Sequence, residues 1–183
     1  NLYESAVREG LNELVYPIKE AGLSYSLSTN KKGVVLTLGG YSERIGDLIE
    51  LVTKNLTNIS IDEQKFNNIK EAMTRGLKNK KLNQAYQRGG YYNWLMLLEN
   101  QYTDEEKLQA LTPLSLDDVK RYAKNLYKKI YVTGVIHGNW SDELAKESVS
   151  LLLDSLNGQP LPVNERYEQF VEVLNPGERI QFS

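Results

Sequence analysis

Cysteine is absent from this chain of 183 residues, and histidine occurs once, as His137. Without cysteine the chain can form neither a disulfide framework nor a thiolate metal site. A zinc peptidase motif of the H-x-x-E-H type needs two histidines one helical turn apart, so a single histidine excludes that motif as well. The lack of cysteine does not specify a compartment, because cysteine-free proteins occur in the cytoplasm and also in the periplasm or outside the cell.

Long apolar runs and an excess of one charge sign are also missing. No stretch approaches the ~20 apolar residues that a membrane-spanning helix requires, so we expect a soluble protein with no membrane partner. The 22 basic and 24 acidic residues give a net charge of −2, which does not favour nucleic acid as a partner. Asn1 stands inside an apparent helix, with no initiator methionine or signal peptide before it. We therefore expect a fragment of a longer polypeptide.

The stretch 21–47 predicts a helix end, a β-hairpin and the start of a second helix. Apolar and polar residues alternate over 23–28 and again over 34–38, which is the period of half-buried strands. The sequence NKKG at 30–33 supplies the turn between them. Ser42 follows the return strand and is suited to cap the next helix, since its hydroxyl can accept a hydrogen bond from a first-turn amide.

Apolar residues at three- and four-residue spacing predict helices along most of the remaining chain. The predicted ranges are about 2–21, 42–56, 62–81, 83–98, 103–111, 115–126 and 142–156. Pro17 should kink or divide the first of these helices. Gly89-Gly90 falls in the middle of the fourth, where it either permits close helix packing or marks a break. Side chains suited to N-capping precede three helices: Thr103, Ser115 and Ser141.

Three further strands are predicted in the second half of the chain. Residues 130–137 are apolar on both faces, which suits a central strand. A linker rich in glycine and proline at 158–162 precedes two strands, at 167–174 and 179–182, around the turn Asn175-Pro176-Gly177. Many helices with a few antiparallel strands, and no βαβ alternation, predict an α+β fold with helices on one face of the sheet.

No catalytic, cofactor-binding or metal-binding residue is assigned from the sequence. His137 ends the predicted strand directly before Gly138 and Asn139, and we interpret it as a structural histidine that bonds to the backbone of the turn. A serine nucleophile needs a base, and this chain has no G-x-S-x-G elbow and only one histidine. The chain is therefore predicted to carry no active site of its own.

A basic cluster at 78–81 precedes Tyr86, Tyr91 and Tyr92. Lysines beside aromatic rings can hold single-stranded nucleic acid, and a steep loss of binding with added salt would reveal such a site. We favour a solvated helix end, because the cluster is short and the chain is net negative. The aromatic residues between Tyr86 and Trp94 receive no assigned role.

Five motifs in register resemble the pitrilysin/insulin-degrading-enzyme family of zinc metallopeptidases. They are AGLSY with GGYSERIGDLI within 21–49, DEQKFNNIKEAMTRGLKN at 62–79, LTPLSLDDVKRYAKNLY at 111–127, VIHGNWSDELAKESV at 135–149 and RYEQFVEVLNPGERIQF at 166–182. Together they cover nearly the whole chain. They resemble the third (non-catalytic, middle) of the family's four αβ domains, in the half of the protein that holds no zinc.

The resemblance implies an αβ roll with helices on one face of a mainly antiparallel sheet, incomplete at its N-terminus because the first strands would lie before residue 1. Three parts are implied: most of a peptidase-family middle domain at 1–158, a linker at 159–165 and the start of the following domain at 166–183. Missing strands would leave a sheet edge exposed, so we predict self-association, or pairing of the C-terminal hairpin with a neighbour.

The implied function is that of a non-catalytic domain in an inverzincin-type zinc metalloendopeptidase, where it forms part of the wall of the peptide-binding chamber. Zinc would be held in the N-terminal half of the parent protein, and this segment would bind no cofactor and be inactive alone. The implied partners are the other domains of the same peptidase and the peptide substrates in its chamber. The alternative is a binding or interaction module from a catalytically inactive relative.

Overall fold

The structure, a computed structural model, describes residues 1–179 and Gln181, apart from the side chain of Ser42. It divides into two compact units, which we call unit 1 (residues 1–69 and 115–166) and unit 2 (residues 70–114 and 167 onwards). The elements are α1 (Leu2–Glu20), β1 (Ser24–Asn30), β2 (Gly33–Gly39), α2 (Ile45–Thr57), α3 (Glu63–Asn79), α4 (Ala85–Leu97), α5 (Asp104–Leu111), α6 (Leu116–Leu126), β3 (Lys129–Ile130), α7 (Asp142–Leu156) and β4 (Gln159–Pro160). The mixed helix-and-sheet class predicted from the sequence is confirmed.

The core of unit 1 forms where the apolar faces of its helices meet. Helix α2 lies against α1, α6 and α7, and α1 also lies against β1. The buried face of α1 recurs at helical spacing and comprises Leu2, Tyr3, Ala6, Val7, Leu11 and Val15. The periodicity predicts an apolar face of Val7, Leu11, Leu14, Val15 and Ile18; Val7, Leu11 and Val15 are buried, whereas Leu14 is exposed. Helix α1 continues past Pro17 to Glu20, so the proline does not divide it.

The hairpin of β1 and β2 turns at the predicted NKKG sequence, with Asn30 paired to Gly33. The side-chain oxygen of Asn30 accepts hydrogen bonds from the amides of Lys32 at 2.8 Å and Gly33 at 3.1 Å, which fixes the tight turn. Gly33 adopts a φ of 140°, a conformation that favours glycine. The hairpin is therefore determined locally, as the sequence pattern indicated.

Two polar side chains of α1 attach the hairpin to the helix. The Nε of Arg8 donates to the carbonyl of Leu27 at 3.1 Å. The carboxylate of Glu4 accepts from the amide of Thr29 at 3.0 Å and from its hydroxyl at 2.8 Å. These bonds hold β1 against α1, with the side chain of Leu27 buried between them.

The predicted helix caps are largely confirmed. Ser115 and Thr103 each accept from an amide of the first turn, and the carboxylates of Asp118 and Glu106 reach back to complete capping boxes. Ser141 accepts from the amide of Leu144 at 3.2 Å and starts α7. Helix α2 differs, because a 3₁₀ turn at Ser42–Arg44 precedes it and the helix itself begins at Ile45. The side chain of Ser42, predicted as a cap, lies outside the described part of the structure.

Unit 2 contains the C-terminal part of α3 together with α4 and α5. The ammonium group of Lys70 donates to the carbonyls of Thr112 at 2.7 Å and Leu114 at 2.8 Å. Helix α4 runs unbroken through Gly89-Gly90, and outside the helix's own backbone no atom of the described residues lies within 4 Å of a Cβ built at either glycine. Neither expectation for these glycines holds, since they mark no break and no close packing.

Two of the predicted strands are wrong. Within the predicted strand 130–137, only Ile130 is in a strand, as part of β3, which pairs in parallel with β4. The predicted strand 167–174 is reduced to one antiparallel bridge, between Leu98 and Val171. The strand predicted at 179–182 includes residues outside the described part of the chain. The expected linker at 158–162 contains β4, and a Cβ at Gly158 would collide with the carbonyl of Tyr127, so this glycine serves close packing.

Candidate functional site

The described residues contain no group of three or more histidine, cysteine, aspartate or glutamate side chains that could hold a metal ion. His137 is exposed, and within this part of the chain it makes no hydrogen bond, so the predicted bond to the turn backbone is not formed. Across the same residues, none of the helices combines the length and apolar character needed to cross a membrane.

Two buried tyrosines form a polar contact inside unit 1 that the sequence reading missed. The hydroxyls of Tyr3 and Tyr127 lie 2.7 Å apart, and the Tyr3 hydroxyl also donates to the carbonyl of Leu56 at 3.0 Å. The ring of Tyr122 meets that of Tyr3 edge to face, with centroids 5.7 Å apart. This contact joins the start of α1 to the ends of α2 and α6.

Burial keeps both hydroxyls neutral. It raises the pKa of Tyr127 to about 12, and it raises the pKa of Tyr3 well above the ordinary value for tyrosine, with the neighbouring Tyr127 adding to the shift. Groups that stay protonated near neutral pH do not act there as general bases. The pair is therefore a structural contact. A sequence motif could not predict it, because the two tyrosines are 124 positions apart.

The stretch from 131 to 137, which we call the edge segment, is an exposed and largely apolar part of unit 1. Val135 is 94% exposed, and three more of its apolar residues are also exposed: Tyr131, Val132 and Ile136. Among the described residues, none of its main-chain groups hydrogen-bonds to another main-chain group. Backbone amides and carbonyls that are free on an apolar segment make it a ready acceptor for another strand.

The N-terminal end of the edge segment is held in place by side chains. The guanidinium of Arg166 lies 3.5 Å from the centre of the Tyr131 ring. The ammonium of Lys129, the first residue of β3, lies 2.7 Å from the carboxylate of Glu165. The amide of Leu161 donates to the carbonyl of Ile130 at 2.8 Å, after which the two chains separate. The segment thus follows an anchored strand and has no main-chain hydrogen-bonded partner within the described part of the chain.

Helix α4 carries four aromatic residues of unit 2. Tyr86 and Trp94 are exposed, whereas Tyr91 and Tyr92 are half-buried, with ring centres 5.3 Å apart. The hydroxyl of Tyr91 accepts from the amide of Asp104 at 2.7 Å and so is committed to the start of α5. Only part of the aromatic cluster is therefore available to a ligand.

The basic cluster beside α4 is largely neutralised by carboxylates of α5. Lys80 lies 3.0 Å from the carboxylate of Asp104, and Lys81 lies 3.2 Å from that of Glu105. The neighbouring carboxylates lower the local positive potential that a phosphate backbone would meet. This geometry supports our interpretation of a solvated helix end over a nucleic-acid site.

A small ribbon in unit 2 borders a cavity. The amide of Glu172 donates to the carbonyl of Leu97 at 2.9 Å, and the amide of Glu99 donates to that of Phe170 at 3.4 Å. The cavity measures about 370 Å³ and is lined by residues 96–99 and 170–172. Among the described residues that line it, the titratable ones are Glu99 and Glu172.

Comparison with known proteins gives the architecture first. The structure is similar to the crystal structure of pitrilysin, with a TM-score of 0.72 over 86% of this chain and 17% of that chain, at 16% sequence identity. At that identity the similarity establishes the fold alone. The chain therefore has the mixed helix-and-sheet architecture found in part of a much longer protein.

Sequence comparison then gives the family. The family model described as the middle or third domain of peptidase M16 matches residues 1–110. The chain is 30% identical to human insulin-degrading enzyme over 155 residues, which are 85% of this chain and 15% of that protein. It is 32% identical to the insulin-degrading enzyme of Drosophila melanogaster over 163 residues, covering 87% of this chain and 16% of that protein. The chain belongs to the M16 peptidase family and matches its middle domain.

Proposed function

We propose that this chain is a non-catalytic part of a zinc metalloendopeptidase and forms part of the wall of its peptide-binding chamber. The observation that carries the proposal is the match of residues 1–110 to the M16 middle domain. The chain spans about a sixth of the length of the relatives it matches, at 15% and 16%. The activity therefore resides in the whole protein, to which this chain contributes one domain.

The residue content of the chain indicates that zinc and the catalytic residues lie elsewhere in the longer protein. Its one histidine and its lack of cysteine leave it without the two histidines of the H-x-x-E-H motif. Zinc and the catalytic glutamate would come from the N-terminal half of the longer protein. Residues 1–158 would be most of the middle domain, residues 159–165 a linker, and residues 166–183 the start of the next domain.

The contribution to catalysis would be enclosure and positioning. A closed chamber restricts the substrate and excludes water, which lowers the entropic cost of reaching the reactive geometry. The well-packed core of unit 1 supports this role, because a wall must resist deformation when a peptide fills the chamber. Exposed aromatic side chains such as Tyr86 and Trp94 are of a type that contacts peptides.

The first experiment measures bound zinc and the cleavage of an internally quenched peptide, in the 183-residue chain and in its full-length parent. We expect neither zinc nor cleavage in the chain and both in the parent. Cleavage by the pure chain would overturn the proposal. Peptide binding without zinc or cleavage in the parent would instead favour the alternative, a binding module of a catalytically inactive relative.

A second experiment addresses the chamber wall. The photo-crosslinking residue p-benzoylphenylalanine is placed in the parent at four exposed positions, one at a time: Tyr16, Tyr41, Tyr86 and Trp94. A labelled peptide is bound, the sample is irradiated, and crosslinks are located by mass spectrometry. We expect crosslinks to bound peptide from at least one of these positions. If no position crosslinks to bound peptide, the wall assignment is wrong.

A further inference from the structure

We propose that Asn157-Gly158 is a conformationally gated deamidation site: the packing of unit 1 suppresses a reaction that the sequence favours, and local opening of the chain allows it. One product is an isoaspartyl linkage, which lengthens the main chain by a methylene group. The inference goes beyond the proposed function and does not depend on it. It rests on the sequence at this turn, on its backbone geometry and on the contacts of Gly158.

The sequence marks this dipeptide as chemically labile. Asn157 is the only asparagine of the chain that is followed by glycine. Asparagine is a labile residue, because a main-chain nitrogen can attack its side-chain amide. A following glycine favours the attack, since the missing Cβ leaves the nitrogen accessible and the backbone free to turn. In an unfolded chain we therefore expect Asn157 to be the most reactive asparagine.

The reaction needs no co-reactant other than water. The nitrogen of Gly158 loses its proton and bonds to the Cγ of Asn157, the bond from Cγ to the amide nitrogen breaks, and ammonia leaves. Water then opens the succinimide ring that has formed. Attack of water at Cγ gives aspartate. Attack at the main-chain carbonyl carbon gives isoaspartate instead, in which the main chain runs through the former side chain.

The folded backbone holds the reacting atoms apart. Asn157 follows the last residue of α7 with a φ of 49° and a ψ of 38°, the left-handed conformation that glycine and asparagine adopt at helix C-termini. In an L residue the Cβ is rotated by about 120° from the main-chain nitrogen around the Cα–C bond, so a ψ of 38° places the Gly158 nitrogen nearly opposite the Cβ of Asn157. Closure of the succinimide ring needs these two atoms nearly eclipsed. The attack therefore requires a large change of ψ.

Contacts that follow the turn resist this rotation. A Cβ built at Gly158 would lie 2.4 Å from the carbonyl oxygen of Tyr127, so the two chains are tightly packed here. Directly after it, the amide of Gln159 donates to the carbonyl of Lys128 at 2.8 Å. Rotation at Asn157 would displace Gly158 and separate the start of β4 from β3.

The gate is the short parallel ladder of β3 and β4. Lys129 pairs with Gln159 and Ile130 with Pro160, and the amide of Leu161 then donates to the carbonyl of Ile130 at 2.8 Å. Such a short ladder opens more readily than the core of unit 1, because it has few bonds to break. The rate of deamidation should therefore report how often the ladder opens.

The isoaspartyl product would keep the ladder open. The added methylene group moves Gly158 relative to the carbonyl of Tyr127, at a point where even a Cβ has no room. Aspartate, the other product, adds a negative charge but leaves the length of the main chain unchanged. The two products are therefore expected to differ in their effect on β4.

The first test compares the folded and the unfolded protein. The 183-residue chain, and separately its full-length parent, are incubated in mildly alkaline buffer with and without guanidinium chloride. Peptide mapping then separates the asparaginyl, aspartyl and isoaspartyl forms. We expect deamidation at Asn157 to be at least about tenfold slower in the folded protein, because only the open fraction reacts. Equal rates in the two conditions, or no reaction in the denaturant, would overturn the proposal.

Asn100 is the internal control of this experiment. It has a φ of 57° and is exposed, as Asn157 is, but glutamine follows it. We expect Asn100 to stay largely intact in both conditions, because the side chain of the next residue hinders the attack. Deamidation of Asn100 as fast as that of Asn157 would show that the Asn-Gly sequence is not the cause, and it would contradict the proposal.

A matched pair of variants tests the gate. Leu161→Pro removes the amide that donates to Ile130, whereas Leu161→Ala shortens the side chain and keeps the amide. Leu161 precedes Pro162, so its backbone is already restricted to an extended conformation that proline also adopts. We expect folded Leu161→Pro to deamidate at Asn157 at least about threefold faster than Leu161→Ala, because a lost hydrogen bond raises the open fraction. Equal rates would exclude the ladder as the gate.

The purified product tests the consequence for β4, and this test does not depend on the folding of the Leu161 variants. The isoaspartyl form is separated from the aged chain by chromatography and compared with Asn157→Asp, which has the same charge on an unchanged main chain. We expect the amides of Gln159 and Leu161 to exchange hydrogen at least about tenfold faster in the isoaspartyl form than in Asn157→Asp. Equal protection in the two forms would contradict the displacement of Gly158.

Discussion

Unit 1 and unit 2 are both largely helical, yet their buried side chains are distributed very unequally. Among the described residues, the buried hydrophobic side chains lie in unit 1, with Leu111 as the sole member from unit 2. Unit 2 is held instead by polar contacts, such as the Lys70 ammonium on the carbonyls of Thr112 and Leu114. Helix content therefore says little about stability, because a helix gains most of its stability from the apolar face it buries.

The largest expected effect is truncation in the core of unit 1. Leu48 of α2 is 0% exposed, so Leu48→Ala should lower the free energy of unfolding of unit 1 by about 2–5 kcal/mol. The matched change in unit 2, Leu82→Ala, alters a side chain that is 85% exposed and should cost less than about 0.5 kcal/mol. Equal losses in the two variants would contradict the comparison.

The two tryptophans allow each unit to be followed separately, because Trp140 lies in unit 1 and Trp94 in unit 2. Urea titrations in the Trp94→Phe background report on unit 1, and those in the Trp140→Phe background report on unit 2. We expect Leu48→Ala to shift the Trp140 transition. Each variant is compared with the chain that carries the same tryptophan substitution alone.

The next effect concerns the tyrosine contact of unit 1. Tyr3→Phe removes the hydroxyl that donates to the buried carbonyl of Leu56, and the loss should be about 1–3 kcal/mol, since a buried acceptor is left without its partner. The control Tyr16→Phe changes an exposed residue and should be close to neutral. The Trp140 transition in urea measures both variants, and similar midpoints would contradict the anchoring role.

The same contact predicts a loss of stability at high pH. The pKa of Tyr127 is raised to about 12 in the folded protein, whereas in the unfolded chain it stays near its ordinary value of about 10. The unfolded state then loses its proton first, so the stabilisation present below pH ~10 is lost as the pH rises through ~12. Tyr127→Phe should flatten this part of the stability curve. An unchanged curve in the variant would show that other groups cause the loss.

The smallest expected effect lies in unit 2. Lys80→Gln removes the ion pair with Asp104, and because Lys80 is partly exposed the cost should be only about 0.2–1 kcal/mol. The cost should shrink further in 1 M salt, which screens exposed charges. The Trp94 signal follows Lys80→Gln at both salt concentrations. Leu48→Ala, followed by the Trp140 signal, serves as the comparison, because salt should not diminish an apolar effect.

The sequence predicted those elements whose causes are local. Helix α7 spans Asp142–Leu156, as the periodicity and the Ser141 cap indicated. The hairpin turn at Asn30 and the capping box of Ser115 were likewise predicted, since each is determined by residues within three positions of one another. Such features can be predicted because they depend on the side chains of a few neighbouring residues.

The sequence alone determined the helices, the hairpin and the lack of an H-x-x-E-H motif. Only the tertiary structure decided the rest: that residues 131–137 leave their short ladder and run exposed, and that Tyr3 meets Tyr127 across 124 positions. A strand exists only when a second strand pairs with it, and a buried hydroxyl contact exists only when distant elements meet. An apolar run such as 131–137 is suited to form a strand. Whether it pairs, and with which segment, depends on the arrangement of the chain in space.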